Sequence, residues 1–196
     1  MIDIPTTNRS PSQTGFSLIE VLVAISLLLI ALVGPMTFFA RNSQSTEVAN
    51  DRAIATFLAQ EGAELIQKVR DDRMLEYFLD PEADGWAQFR DDITVCMNGT
   101  PCGVSIDESG VVNVIDCPSD SDCGLWYNAE ADRSGFSHNG AGTETQFIRT
   151  VELESPSGAN DREVEVISRV QWESTVLSGS QSVEVRTAVF NIFTAN

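Results

Sequence analysis

The chain opens on polar residues, MIDIPTTNRSPSQTG over 1–15 with Pro5 and Pro11, and then turns apolar from Phe16 with a single charge at Glu20. From Val21 to Ala40, VLVAISLLLIALVGPMTFFA, nothing is charged. About 20 residues rising ~1.5 Å each span roughly 30 Å, the thickness of a bilayer's hydrocarbon core, so the pattern predicts a transmembrane helix over 16–40. A secretory signal would carry a basic start, a shorter apolar run and a small-residue cleavage site at its far end. Here Arg41-Asn-Ser-Gln-Ser follows instead. Gly34-Pro35 predicts a bend or local loosening of the helix.

From Asn42 to about Arg73 the apolar positions Val48, Ala55, Leu58, Gly62, Leu65 and Val69 recur at helical intervals, with Glu47, Asp51, Arg52, Glu61, Glu64, Lys68 and Arg70 on the opposite face. One helix from Phe16 to Arg73 would run about 58 residues, roughly 87 Å. A coiled-coil stalk is the plainer alternative for its second half. After Asp80-Pro81 the period shortens to that of strands. Short strands are expected at Ile93–Met97, Gly103–Ile106, Val111–Ile115 and Leu125–Tyr127, with turns at Asn98-Gly99 and Asp107–Gly110. Longer ones are expected at Phe147–Glu154, Glu163–Trp172 and Ser182–Phe193. The last two alternate, with Val164, Val166, Val170 and Trp172 on one face and Val183, Val185 and Val189 on another. The short Gly/Ser-rich connectors between them suit an antiparallel meander. The expected fold is therefore α+β: a long N-terminal helix, half membrane-embedded and half amphipathic, packed on an antiparallel sheet. The segments are 1–15 as a leader, 16–40 as the transmembrane helix, 41–75 as its amphipathic continuation and 76–196 as a β-rich head.

Charge narrows the function. The 196 residues carry a formal net charge of -17, with 12 basic against 29 acidic side chains. A surface of that sign repels a nucleic-acid backbone, so no nucleic-acid binding is expected. Most of the excess lies beyond residue 76, where it suits solubility and basic partners better than anionic lipid. Lys68 and His138 are the only lysine and histidine, thin material for phosphate binding or general-base chemistry. No P-loop, G-x-S-x-G or H-E-x-x-H occurs, and no catalytic residue is assigned. His138, in Ser-His-Asn-Gly, reads as a polar loop residue. The chain is not expected to be an enzyme.

Glu20 is the residue the rest must explain. A carboxylate at membrane depth costs on the order of several kcal/mol unless it is paired, and Arg41, the next basic residue along the helix, is about 30 Å away. If the chain were cut after Gly15, Phe16 would carry a new ammonium one turn from Glu20, and the ammonium of a staggered neighbouring copy could reach it too. A charge satisfied by self-association drives polymerisation.

The run Gly15-Phe-Ser-Leu-Ile-Glu20 followed by VLVAISLLLIALVG resembles the N-terminal motif of type IV prepilins and type II secretion pseudopilins. The resemblance implies cleavage between Gly15 and Phe16 by prepilin peptidase and N-methylation of Phe16, which keeps its positive charge. It also implies a pilin-type fold and recruitment, through an inner-membrane assembly platform, into a pilus or pseudopilus filament. Glu20 would then act in assembly, with the Gly34-Pro35 region melting as subunits pack. Localisation would be the cytoplasmic membrane, single-pass with an extracytoplasmic head, before assembly. Leu58–Arg70 is similar to the helix of PilV-type minor pilins. Two features depart from the family's pattern: Ser-Gln-Thr precedes the glycine where a basic residue is usual, and Gly34-Pro35 falls earlier than the proline of major pilins. The resemblance leaves open pilus against secretion pseudopilus and major against minor subunit. A monomeric membrane-anchored head that binds a ligand or metal is the alternative.

In such a head, Cys96, Cys102, Cys117 and Cys123 read as two disulfides. The local pairs Cys96–Cys102 and Cys117–Cys123 are expected, with the two crossed connectivities open, and the spacing is off the pattern of zinc knuckles. Asp116, Asp120 and Asp122 place carboxylates in one tight loop, a possible Ca²⁺ set without EF-hand spacing, against the plainer reading of a solvated acidic turn. No other cofactor is expected. Asn98-Gly-Thr100 is a glycosylation sequon and an exposed turn.

Overall fold

The computed structural model describes residues 15–80, 84–129, 135–156, 162–174 and 176–191. The chain separates into two units between Ser45 and Thr46. One helix, α1 (Leu18–Leu79), contributes to both. Its first part stays helical through Gly34-Pro35, with Pro35 inside the helix. Pro35 can give no N–H to the carbonyl one turn back; Thr37 Oγ1 donates to Gly34 O at 2.8 Å, and Ser26 Oγ to Leu22 O at 2.7 Å.

In the second unit α1 buries a stripe of Ala55, Leu58, Ala59, Gly62, Ala63, Leu65, Ile66 and Val69. The expected stripe is within it, apart from Val48, which is half-buried. The helix runs to Leu79, past the expected boundary at 75, and closes with Asp80 N–H on Glu76 O at 2.9 Å. A second helix, α2 (Gly85–Asp92), follows, its first turn capped by the Asp84 carboxylate accepting from Ala87 N at 3.0 Å. Trp86, Phe89 and Ile93 recur at helical spacing and are buried. This helix carries the chain into a 3₁₀ turn at Thr94–Cys96, where a strand at Ile93–Met97 was expected. The period there is that of a helix, and only Met97 makes an isolated bridge, to Leu153.

The strands are β1 (Cys102–Ile106), β2 (Val112–Asp116), β3 (Gly124–Asn128), β4 (Gly135–Ser137), β5 (Thr143–Glu154), β6 (Glu163–Glu173) and β7 (Ser180–Phe190). All ladder pairings are antiparallel. β5 is the spine. Along one edge it pairs with β6, from Phe147↔Trp172 to Glu154↔Glu165, and β7 continues the meander in register Glu163↔Phe190 to Glu173↔Ser180. Its other edge is shared: β3 takes the first half, to Gly124↔Ile148, and β1 joins at Cys102↔Val151. The hairpin partners β2 and β4 lie outside β1 and β3. The observed architecture is α+β, the second half of α1 packed on an antiparallel sheet.

Two apolar clusters join them. One holds Ile66, Val69 and Met74 of α1 with Phe89, Ile93, Val104, Val151 and Leu153. The other holds Ala55, Leu58 and Ala59 with Leu125, Phe147, Val170 and Trp172. Each fully buried large aliphatic or aromatic side chain contributes about 1.5–3 kcal/mol. The small residues Ala55, Ala59, Gly62 and Ala63 let the helix approach closely. At Gly62 the fit is tightest: an added Cβ would lie 2.5 Å from Ser168 Oγ, 3.1 Å from Arg149 Cδ and 3.4 Å from Val151 Cγ2.

Candidate functional site

Gly15, Phe16 and Ser17 precede the first helical turn, and nothing lies within 4 Å of where a Cβ on Gly15 would be. Ser17 O accepts the first helical bond, from Val21 N at 3.2 Å. Phe16 is 81% exposed and Glu20 is exposed one turn on, in the first turn of α1. There the helix dipole favours a carboxylate. Among the described residues Glu20 makes no ion pair. From Leu18 to Phe39 the apolar side chains are exposed on every side of the helix, Leu22, Val23, Leu28, Leu29 and Val33 among them. A helix apolar all round belongs in a membrane or against other apolar helices. This helix is long and apolar enough to cross a bilayer, and none of its most apolar stretch is buried in the chain itself.

A family model described as the prokaryotic N-terminal methylation motif matches residues 10–34. The chain carries a prepilin-type N-terminus. That match supports membership of the type IV pilin and pseudopilin family, and with the apolar helix it fits a membrane-anchored pilin. It includes Gly15, Phe16, Glu20 and Gly34 and ends before Pro35. The similarity of Leu58–Arg70 to PilV-type minor pilins lies outside it. No curated protein and no solved structure matches the chain.

The head's cysteines form Cys96–Cys102 and Cys117–Cys123, with Cα atoms 5.1 and 5.6 Å apart. The first ties the end of the 3₁₀ turn to the start of β1, and the second ties the end of β2 to the start of β3. Asp122, between the second pair, accepts from Ser119 N at 3.1 Å and Ser119 Oγ at 2.8 Å. Asp116 ends β2, exposed, and the side chain of Asp120 lies outside the described ones. Among the described residues no group of three or more His, Cys, Asp or Glu is placed to hold a metal. The sequon residues Asn98, Gly99 and Thr100 are exposed in a turn where Asn98 and Gly99 both take positive φ.

Two polar residues of the head are drawn into its interior. His138 lies in the loop after β4, as expected, but is half-buried there. Its Nδ1 lies 3.2 Å from Gly124 O, and its Nε2 is buried with no hydrogen-bond partner among the described residues. Burial, and secondarily the charge on Arg149, lower its pKa to about 4, so the ring is neutral at pH 7. Arg149, on the inner face of β5, is fully buried. Its Nη1 bonds Glu61 of α1 at 2.6 Å and Leu58 O at 3.2 Å, while Nη2 donates to Val104 O of β1. Burial pushes its pKa down and the Glu61 charge pushes it back up; a guanidinium stays protonated throughout. Arg149 thus joins α1, β1 and β5 where β1 and β5 share a single register pair. The signal was available: Phe147, Arg149, Val151 and Leu153 alternate toward the core, and Gly62 leaves room opposite.

Proposed function

We propose that this chain is a structural subunit, a minor pilin or pseudopilin, of a type IV pilus-like or type II secretion filament. Residues 1–15 form the leader, removed between Gly15 and Phe16 by prepilin peptidase. Residues 16–40 hold the precursor in the cytoplasmic membrane, 41–75 continue the helix, and 76–196 form an extracytoplasmic head. The observation that carries the proposal is an apolar helix exposed on every side from Leu18 to Phe39, with one carboxylate, Glu20, a turn from Phe16. In the membrane, lipid covers that surface. In a filament, neighbouring helices replace lipid and the N-methylated Phe16 ammonium neutralises Glu20, which removes the cost of the charge only when subunits assemble. Loosening at Gly34-Pro35 eases that packing.

The test separates the two steps. Gly15→Ala blocks cleavage and accumulates full-length precursor on immunoblots of membranes. Glu20→Val is cleaved and membrane-held but is absent from sheared filaments. Efficient cleavage of the first variant contradicts the assigned site, and normal incorporation of the second contradicts the charge pairing.

A further inference from the structure

Beside the β2 edge of the sheet the end of α1 leaves apolar side chains exposed. Leu75 and Leu79, in the last turns of α1, are 62% and 82% exposed, and Val111, just before β2, is 56% exposed. With Val69, Val112 and Val114 they line a groove of about 560 Å³ between α1 and β2. Among the described strands β2 pairs only with β1. Its outer backbone groups therefore have no strand partner, and a strand about 4.8 Å further out would both pair them and cover the leucines. The other long edge is defended. β7 carries Glu184 and Arg186, ion-paired to each other and to Arg169 and Glu165 of β6, a charged edge of the kind that resists strand addition. In β2, Val-Asn-Val-Ile-Asp, the one charge is at the end.

We propose that this groove docks an extended segment of another protein, apolar at alternate positions and flanked by basic residues, added as a strand along β2. Charge selects this occupant. Asp72, Glu76 and Asp92 stand on the rim. The nearby cations are already engaged: Lys68 by Asp72 at 2.7 Å, and Arg73 by Asp92 at 2.6 Å and Glu76 at 2.8 Å. All three carboxylates share these pairs, but three of them face two cations, so the rim keeps a net negative charge that favours a basic segment. A second copy of a chain with net charge -17 brings like charge. Main-chain pairing supplies the docking geometry and alternate side chains supply selectivity. The surface lies wholly within the unit that begins at Thr46, and the inference does not depend on processing or filament assembly.

The experiment uses the full chain in detergent micelles and a fluorescent peptide with lysines at both ends and alternating valine and threonine between. Anisotropy titration at low salt gives saturable binding. Leu79→Glu weakens it at least about tenfold, as does N-methylation of alternate peptide amides, which removes strand pairing. Leu177→Glu, at an exposed residue between β6 and β7, leaves it unchanged, and the same peptide with glutamates for lysines does not bind. Absence of saturable binding overturns the proposal. So does equal affinity of the Leu79→Glu protein or the N-methylated peptide, which would reduce the attraction to bulk charge. Concentration-dependent self-association abolished by Leu79→Glu would give the groove to a second copy and equally overturn it.

Discussion

Gly62→Ala is the sharpest test of how α1 sits on the sheet. In an exposed helix this change stabilises by about 0.5–1 kcal/mol, because glycine loses the most backbone freedom on folding. Here the new methyl would lie 2.5 Å from Ser168 Oγ and 3.1 Å from Arg149 Cδ. Real contacts of a Cβ are longer, so either Ser168 rotates or the helix lifts from the guanidinium; overpacking of this size costs about 1–3 kcal/mol. The net expectation is a loss of about 1–2 kcal/mol. Ser168 Oγ is buried and has no hydrogen-bond partner among the described residues, so Ser168→Ala removes no bond and should be neutral or slightly stabilising. It also vacates the space the Gly62→Ala methyl needs. The double variant should regain most of the loss, a coupling of about 1 kcal/mol or more. Urea unfolding of the four proteins in detergent, followed by the fluorescence of Trp86, Trp126 and Trp172, measures the cycle. A Gly62→Ala protein as stable as the parent, or two losses that simply add, would refute the close approach.

Arg149→Met should destabilise the head by about 2–4 kcal/mol in the same assay, because Val104 O and Leu58 O lose buried donors. Glu61→Gln should cost less, since the amide oxygen still accepts from Arg149, which keeps its bonds to Leu58 O and Val104 O; the reverse order would overturn the assignment of Arg149 as the buried joint. His138 gives a pH test. Its folded pKa of about 4 lies below the ordinary 6.5, so as pH falls the unfolded chain takes up the proton first. Its stabilising contribution is present above pH 6.5 and is lost progressively between 6.5 and 4, by up to ~3 kcal/mol. His138→Gln should flatten that part of the stability profile, and an unchanged slope would contradict the burial of the ring.

What could be read from the sequence follows from which residues carry periodicity. The stripe from Ala55 to Val69 and the alternation of β5 to β7 are repeated apolar signals, and both stand in the structure. The prepilin-type N-terminus was legible because Gly15–Glu20 and the apolar run behind it resemble a family motif that is local in sequence. The 84–97 region was misread because Asp84, Trp86, Phe89 and Ile93 make a capped helix too short to outweigh the β-branched run Ile-Thr-Val that follows. β4, three residues long, carries no pattern of its own. Arg149 and His138 were missed for a different reason. Their types are ordinarily solvated, and burial of each depends on partners far along the chain: Glu61 for Arg149, Gly103 and Gly124 for His138. The alternation of β5 marks Arg149 as inward-facing, but the tertiary partners that satisfy it leave no local trace. The β2 groove is equally non-local, since it exists only where the end of α1 overhangs an edge strand.

The account rests most heavily on the N-terminus, and intact mass spectrometry of the protein from native membranes or sheared filaments tests it directly. The predicted result is a chain beginning at Phe16 with one added methyl group, gaining two hydrogens for each of its two disulfides on reduction. A chain still carrying residues 1–15 in both fractions would contradict processing and leave the apolar helix as a plain membrane anchor.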